Sequence, residues 1–301
     1  MPTPSLPADP LWPRAGDWPR DIDGPIGLAL VGIPTWRTSL SPTSAHATPA
    51  AVREALRRFT PFAASVGGRN VDDLVFADFG DAVEPDGPDG EPPARELMAD
   101  AVRQAAVTVA LGGDNAATVP AALGAWGNDI ARAGLVTLDA HHDLRDGYSN
   151  GSPVRRLVEA GLDGRRVVQV GIADFANSRA YTDRARDLGI TVIPRDALYG
   201  RPMADVMDEA LELAGAGGGP IHVDLDVDVC DRAVAPACPA SVPGGIAAHE
   251  LRAAARAAGA DSRVRSVDIT EVDALLDAPD GRTVRLAALC VLEVAAGLAT
   301  R

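Results

Sequence analysis

The run Leu138-Asp139-Ala140-His141-His142-Asp143-Leu144-Arg145-Asp146 sets carboxylates and imidazoles directly after the apolar, β-branched segment Gly134-Leu135-Val136-Thr137. That order predicts a buried strand ending in a metal site. In an extended chain Asp139, His141 and Asp143 point to one side and Ala140 and His142 to the other, so three ligands converge. A second stretch, Ile221-His222-Val223-Asp224-Leu225-Asp226-Val227-Asp228, repeats the design with Asp224, Asp226 and Asp228 on one face. In a third, Val107-Thr108-Val109-Ala110-Leu111 runs into Gly112-Gly113 and then the polar pair Asp114-Asn115. One Asp-x-His-x-Asp could be a solvated turn; three strand ends of this kind in one chain argue for a metal. Carboxylates so crowded repel one another unless cations sit among them. Hard divalent ions are the natural counter-charge, and a mixed carboxylate, imidazole and amide set suits Mn²⁺ better than a thiolate-preferring metal. Asp224 reads as structural, and His142, on the face opposite His141, as a packed or supporting histidine with a proton-shuttle role as the sharper alternative.

These groups need strands to carry them and helices to cover the strands. Strands are expected at Ile26–Ile33, Val71–Phe79, up to Gly112, up to Asp139, Arg166–Gly171, Ile190–Ile193, up to Asp228, and 264–270. Between them helices are expected at 49–59, 94–106, 116–125, 153–160, 177–188, 203–214 and 247–259, with a last one at 283–299. Thr48 and Pro49 open the first helix in the usual way, while Glu84 to Pro93 reads as an exposed loop. The Gly215 to Gly219 run precedes a strand instead of joining strand to helix, so it reads as a connector and not a phosphate loop. This rhythm predicts an α/β fold: three αβα layers around a mostly parallel sheet of about eight strands, with sites outside the strands' carboxyl ends. All the candidate motifs lie at such ends.

The chain has 301 residues with 42 acidic against 28 basic side chains and a net charge of -14, which argues against nucleic acid or an anionic membrane as partner. Residues 1–24 read as an irregular N-terminal arm whose Trp12 and Trp18 pack onto the body or a neighbouring subunit, and 25–301 as a single domain. Cys230, Cys238 and Cys290 have no metal-like spacing. With no apolar leader and an apolar C-terminal stretch broken by Glu293, they fit a reducing cytoplasm.

At these motifs the chain resembles the ureohydrolase family, the manganese enzymes that include arginase, agmatinase and formimidoylglutamase. The family's Gly-Gly-Asp-His-Ser, Asp-Ala-His-x-Asp and Ser-x-Asp-x-Asp-x-x-Asp-Pro motifs are answered in order by Gly112-Gly113-Asp114-Asn115-Ala116, Asp139-Ala140-His141-His142-Asp143 and Asp224-Leu225-Asp226-Val227-Asp228-Val229-Cys230-Asp231-Arg232. Gly32-Ile33-Pro34, Thr48 to Arg53 and Asp268-Ile269-Thr270-Glu271-Val272-Asp273 extend the likeness over roughly residues 26 to 299. The resemblance implies the arginase-like fold and two Mn²⁺ per chain. Asp139 and Asp226 would bridge the ions, Asp143 with Asn115 completing one and His141 with Asp228 the other. Two positions depart from the pattern: Asn115 stands where the family has a His ligand, and Asn150 where agmatinase-like members have a His. An amide oxygen can bind Mn²⁺ but holds it less tightly than an imidazole.

The resemblance further implies hydrolysis of a linear amidine or guanidine. Glu271 would hold the cationic nitrogens and Asp143 would pass a proton to the departing amine, with His142 as a possible shuttle. Asp143-Leu144-Arg145, Asn150-Gly151-Ser152-Pro153 and Gly171 to Asn177 resemble the formimidoylglutamase branch. That branch would cleave N-formimidoyl-L-glutamate to glutamate and formamide in histidine breakdown. Asn150, Ser152 and Asn177 would then contact substrate, and Arg145, Arg155 or Arg179 would bind its carboxylates. Release of urea from agmatine or a guanidino acid is the alternative activity, and a catalytically inactive relative the alternative class. Relatives assemble as trimers and hexamers, so a homo-oligomer is expected.

Overall fold

The computed structural model describes residues 9–18, 22–67 and 70–301, so residues 1–8 and 19–21 of the expected arm lie outside the described residues. Eight strands form one sheet: β1 (Ile26–Ile33), β2 (Phe76–Asp81), β3 (Ala105–Gly112), β4 (Gly134–Leu138), β5 (Val167–Ile172), β6 (Thr191–Pro194), β7 (Ile221–Asp226) and β8 (Val264–Thr270). Their order is β2-β1-β3-β8-β7-β4-β5-β6, and every pairing is parallel.

Parallel neighbours require crossovers, and helices supply them on both faces. On one face α1 (Thr48–Leu56), α6 (Met203–Ala214), α7 (Ala248–Ala260) and α8 (Arg282–Leu298) pack Val52, Met207, Leu251 and Val291 against Leu28, Val109, Val136 and Val223 of the sheet. On the other, α2 (Gly87–Gln104), α3 (Thr118–Trp126), α4 (Pro153–Glu159) and α5 (Arg179–Asp187) bring Met98, Ala121, Leu157 and Ala185 onto Ala29, Val31, Leu135 and Val167. The α/β class and its parallel sheet, expected from the alternating pattern, are what the chain adopts.

Two expectations are corrected. The Glu84 to Pro93 segment is not a loop throughout, because α2 begins at Gly87 and contains Pro92 and Pro93. Pro88, at the second helical position, gives up an amide that has no intrahelical partner there, whereas Pro92 and Pro93 lie inside the helix and each removes one intrahelical hydrogen bond. The second strand starts at Phe76 and not Val71, because a short turn of 3-10 helix occupies Val71–Asp73. Asn70 caps that turn, accepting from Val71 N at 2.8 Å and donating from its own backbone to Asp73 Oδ2 at 2.8 Å. Of the arm's tryptophans, Trp18 stacks on Phe76 with ring centroids 4.4 Å apart, whereas Trp12 is 51% exposed.

Candidate metal centre and substrate cavity

The middle strands set the site. Leu111 is in register with Ile269, Leu138 with Leu225, and Asp226 with Thr270, so the carboxyl ends of β3, β8, β7 and β4 finish at one level. Gly113 makes the first end close: a Cβ there would lie 1.9 Å from Thr35 O. Its carbonyl accepts from Glu271 N at 2.9 Å, which joins the ends of β3 and β8. Asp143 and Glu271 both adopt the left-handed backbone conformation, with φ of 52° and 59°. This costs a side-chain-bearing residue about 1–3 kcal/mol and is concentrated at functional sites.

At this level five acids are withdrawn from water: Asp139 is 1% exposed, Asp143 7%, Asp226 2%, Asp228 1% and Glu271 4%. Ligand atoms of Asp139, His141 and Asp228 all lie within 4.8 Å of one another, as a metal ion would require. His141 Nδ1 stands 2.9 Å from Asp228 Oδ2 and 3.4 Å from Asp139 Oδ1. Backbone amides aim the carboxylates: His141 N donates to Asp139 Oδ1 at 2.6 Å, Ala140 N to Asp228 Oδ1 at 3.2 Å, and Asp228 N to Asp226 Oδ1 at 2.8 Å.

Without a cation this cluster distorts its own acidities. Burial, then the Asp228 charge, pushes Asp139 up to about 7. Burial with the surrounding carboxylates pushes Asp143 and Asp226 well above their ordinary value. Burial opposes the His141 imidazolium, but Asp228 and Asp139 outweigh it and raise the ring to about 12. Burial would also raise Asp228, yet the His141 charge holds it below the usual carboxylate range. A cation resolves all of these at once. The donor set fits one: Asp139 Oδ2 is buried without a hydrogen-bond partner, and the groups are hard oxygens with one imidazole.

Asn115 sits beside Asp143 in an orientation of its own. Its Oδ1 accepts from the hydroxyls of Thr118 at 2.6 Å and Thr270 at 3.1 Å, and its Nδ2 donates to Asp143 Oδ2 at 2.6 Å. Glu271 Oε1 accepts from Asn115 N at 2.9 Å and Asn150 Nδ2 at 2.7 Å. Burial, then the Asp114 charge, raises Glu271 to about 8.

A cavity of about 310 Å³ opens over these groups, lined by His141, Asp143, Asp226, Asp228 and Glu271 on the sheet side. Arg145, Asn150, Asn177 and Tyr181 also line it. Of the side chains singled out in the sequence for substrate contact, Ser152, Arg155 and Arg179 do not line this cavity. Ser152 is fully buried and donates to Ser149 O at 2.7 Å, fixing the turn before α4. Arg155 Nε donates to Arg145 O at 2.7 Å and its Nη1 to Glu159 at 2.5 Å, so it props the loop that carries Arg145. Arg179 is exposed at the start of α5. Asn177 reaches the cavity with its amide engaged, accepting from His142 N at 2.9 Å and donating to Ala140 O at 2.9 Å. His142 also lines the wall, its ring held by Gln169 at 2.7 Å and Thr182 at 3.3 Å.

Gln169, Thr118, Thr270 and Arg195 carry no local signal of a site role. Arg195 is a buried cation behind the cluster, donating to Val229 O at 3.1 Å, with Asp228 favouring its charge against burial.

Comparison with known proteins bears on the family and the fold. A sequence model of the arginase family matches residues 26–297. The formimidoylglutamase of Halalkalibacterium halodurans is 33% identical over 295 residues, spanning 94% of this chain and 92% of that protein. The crystal structure of formimidoylglutamase from Bacillus subtilis superposes with a TM-score of 0.88 at 28% identity, covering 99% of this chain and 96% of the other. A Trypanosoma cruzi formiminoglutamase solved with Mn²⁺ shares the fold, with a TM-score of 0.82 at 22% identity over 92% of this chain and 94% of its own.

Proposed function

The chain belongs to the arginase family, and we propose that it hydrolyses N-formimidoyl-L-glutamate to L-glutamate and formamide at a two-manganese centre. The reading rests on one observation: Glu271, with Oε1 held by Asn115 and Asn150, lines the same cavity as His141, Asp143, Asp226 and Asp228. Asp139, His141, Asp143, Asp226 and Asp228 would hold the ions, with Asn115 beside Asp143. Bound there, the metal supplies a water acidified far below its bulk pKa of ~15.7, and so a nucleophile at neutral pH.

The chain's own residues do the rest. Glu271 Oε2 has no hydrogen-bond partner among the described residues and faces the cavity as an acceptor for the N–H groups of an amidinium. Water adds to the formimidoyl carbon, the bond from that carbon to the glutamate nitrogen breaks, and Asp143 delivers the proton that this nitrogen takes up. Arg145 is exposed on the cavity wall and its guanidinium binds no residue among those described, which leaves the fork open to a substrate carboxylate. Both close relatives named above are formimidoylglutamases, which favours the formimidoyl substrate over a guanidino one. Three unpaired, buried cysteines suit a reducing cytoplasm, and among the described residues no helix is long and apolar enough to cross a membrane. A homo-oligomer is part of the same reading.

Product identification tests it. Manganese-loaded protein given N-formimidoyl-L-glutamate should release formamide and glutamate in equal amounts. Urea from agmatine or a guanidino acid, without formamide from the formimidoyl compound, would reassign the substrate, and inertness to the whole panel would reject an enzyme.

A further inference from the structure

Beneath the centre, β7 and β8 carry a line of buried polar side chains. Asp224 pairs in register with Asp268 and Asp226 with Thr270. Asp224, Asp268, Thr270 and Asn115 are all at most 1% exposed. The Thr270 hydroxyl has two acceptors in reach, Asn115 Oδ1 at 3.1 Å and Asp224 Oδ1 at 3.3 Å. It has one hydrogen to give.

We propose that Asp224 is a positioning residue that decides, through the Thr270 hydroxyl, whether Asn115 presents its amide nitrogen or its amide oxygen to the centre. The inference rests on the two-manganese reading of that centre. When Thr270 donates to Asn115, the amide oxygen is held away from the cavity and Nδ2 faces Asp143, at 2.6 Å. When Thr270 donates to Asp224, it offers Asn115 a lone pair, which only the NH₂ edge can meet. The amide then turns and its oxygen comes to the Asp143 side. Thr118, the other hydroxyl on Asn115 Oδ1 at 2.6 Å, follows either arrangement because a hydroxyl both donates and accepts.

The first arrangement satisfies a bare Asp143 carboxylate. The second suits an ion beside Asp143, because an amide oxygen is a hard ligand and an NH₂ group is none. Binding of that ion therefore includes the cost of turning the amide, and an acceptor ready for the Thr270 hydrogen lowers this cost. Asp224 is that acceptor. It lies in the same buried line, in register with Asp268 and within 3.3 Å of the Thr270 hydroxyl.

The test is Mn²⁺ titration of Asp224→Ala, Asp224→Asn and Thr270→Val by calorimetry and electron paramagnetic resonance, beside thermal melts of the metal-free proteins. Asp224→Ala and Thr270→Val should each weaken one of the two ions about tenfold, the worth of one hydrogen bond, and leave the other unchanged. Asp224→Asn keeps an acceptor oxygen and should bind both ions as wild type does. The metal-free melting temperature of Asp224→Ala should not fall. Unchanged affinity for both ions in Asp224→Ala overturns the inference alone, as does equal weakening of both ions with a lowered metal-free melting temperature. Wild-type protein that takes up a single Mn²⁺ overturns the two-manganese reading and this inference with it.

Discussion

Asn150 Nδ2 donates to Glu271 Oε1 at 2.7 Å, tying the loop before α4 to the end of β8 across 121 residues of sequence. The same oxygen accepts from Asn115 N at 2.9 Å, so one edge of Glu271 is fixed while the other is left for substrate. Glu271→Gln should lower kcat/KM for the formimidoyl substrate at least about 100-fold, as loss of an electrostatic contact to the reacting group does, with Mn²⁺ uptake unchanged by metal analysis. Asn150→Ala, which removes one charge-assisted bond, should cost about tenfold.

Arg145 is the cavity-wall cation, its backbone N fixed on Gly151 O at 2.9 Å and its carbonyl held by Arg155 Nε at 2.7 Å. Arg145→Gln should raise KM for the dicarboxylate substrate by about tenfold or more and leave kcat within a few-fold. A neutral formamidine of similar length should be turned over equally by both proteins. Equal losses on the neutral compound would mean that Arg145 acts through the loop and not through a substrate carboxylate.

The metal-free protein should lose stability as pH rises. Asp139 lies at about 7 and Glu271 at about 8 when folded, so the folded chain keeps protons that unfolded carboxylates release near ~4. Their contribution is present at low pH and is lost as pH climbs through those values. His141, raised to about 12, acts in the same direction above the ordinary histidine value of ~6.5. Asp228, held low by His141, opposes this only as pH falls through the ordinary carboxylate range. A metal ion competes with these protons, so the stabilisation by Mn²⁺ should grow over the same window. Melting curves between about pH 5 and 9, with chelator and with Mn²⁺, should diverge upward; a gap that is constant or shrinks would contradict the assigned groups.

His142 should behave as a support. Its ring joins Gln169 and Thr182, and Gln169 Nε2 returns to His142 O at 2.9 Å. His142→Ala should cost about 1–3 kcal/mol of stability by leaving Gln169 unsatisfied, with turnover and its pH profile within a few-fold of wild type. A profile that loses one limb would instead make this ring a proton carrier.

The period-two spacing of Asp139, His141 and Asp143 and of Asp226 and Asp228 marked residues that come together, but not by sharing a strand face. The strand β4 ends at Leu138, Asp143 has a φ of 52°, and Asp228 lies in a 3-10 turn at Val227–Val229. His142, expected on the opposite face, lines the same cavity as His141. The alternation of strands and helices gave the sheet and its two covered faces. What local pattern missed has identifiable causes. Proline composition hid the first turns of α2. The Asn70–Asp73 cap replaced the first residues expected of β2. Ser152 and Arg155 have the chemistry of substrate contacts, yet each turns to backbone carbonyls of its own loop. Thr270 and Gln169 gain their roles only from partners far away in sequence, and the positive φ of Asp143 and Glu271 has no signal in residue type.

The central claim is a pair of divalent ions shared by acids at the carboxyl ends of β4 and β7, and anomalous scattering at the manganese edge from Mn²⁺-loaded crystals tests it most directly. The account predicts two peaks, with Asp139 and Asp226 between them, Asp143 at one and His141 with Asp228 at the other. A single peak, or peaks away from these side chains, would contradict it.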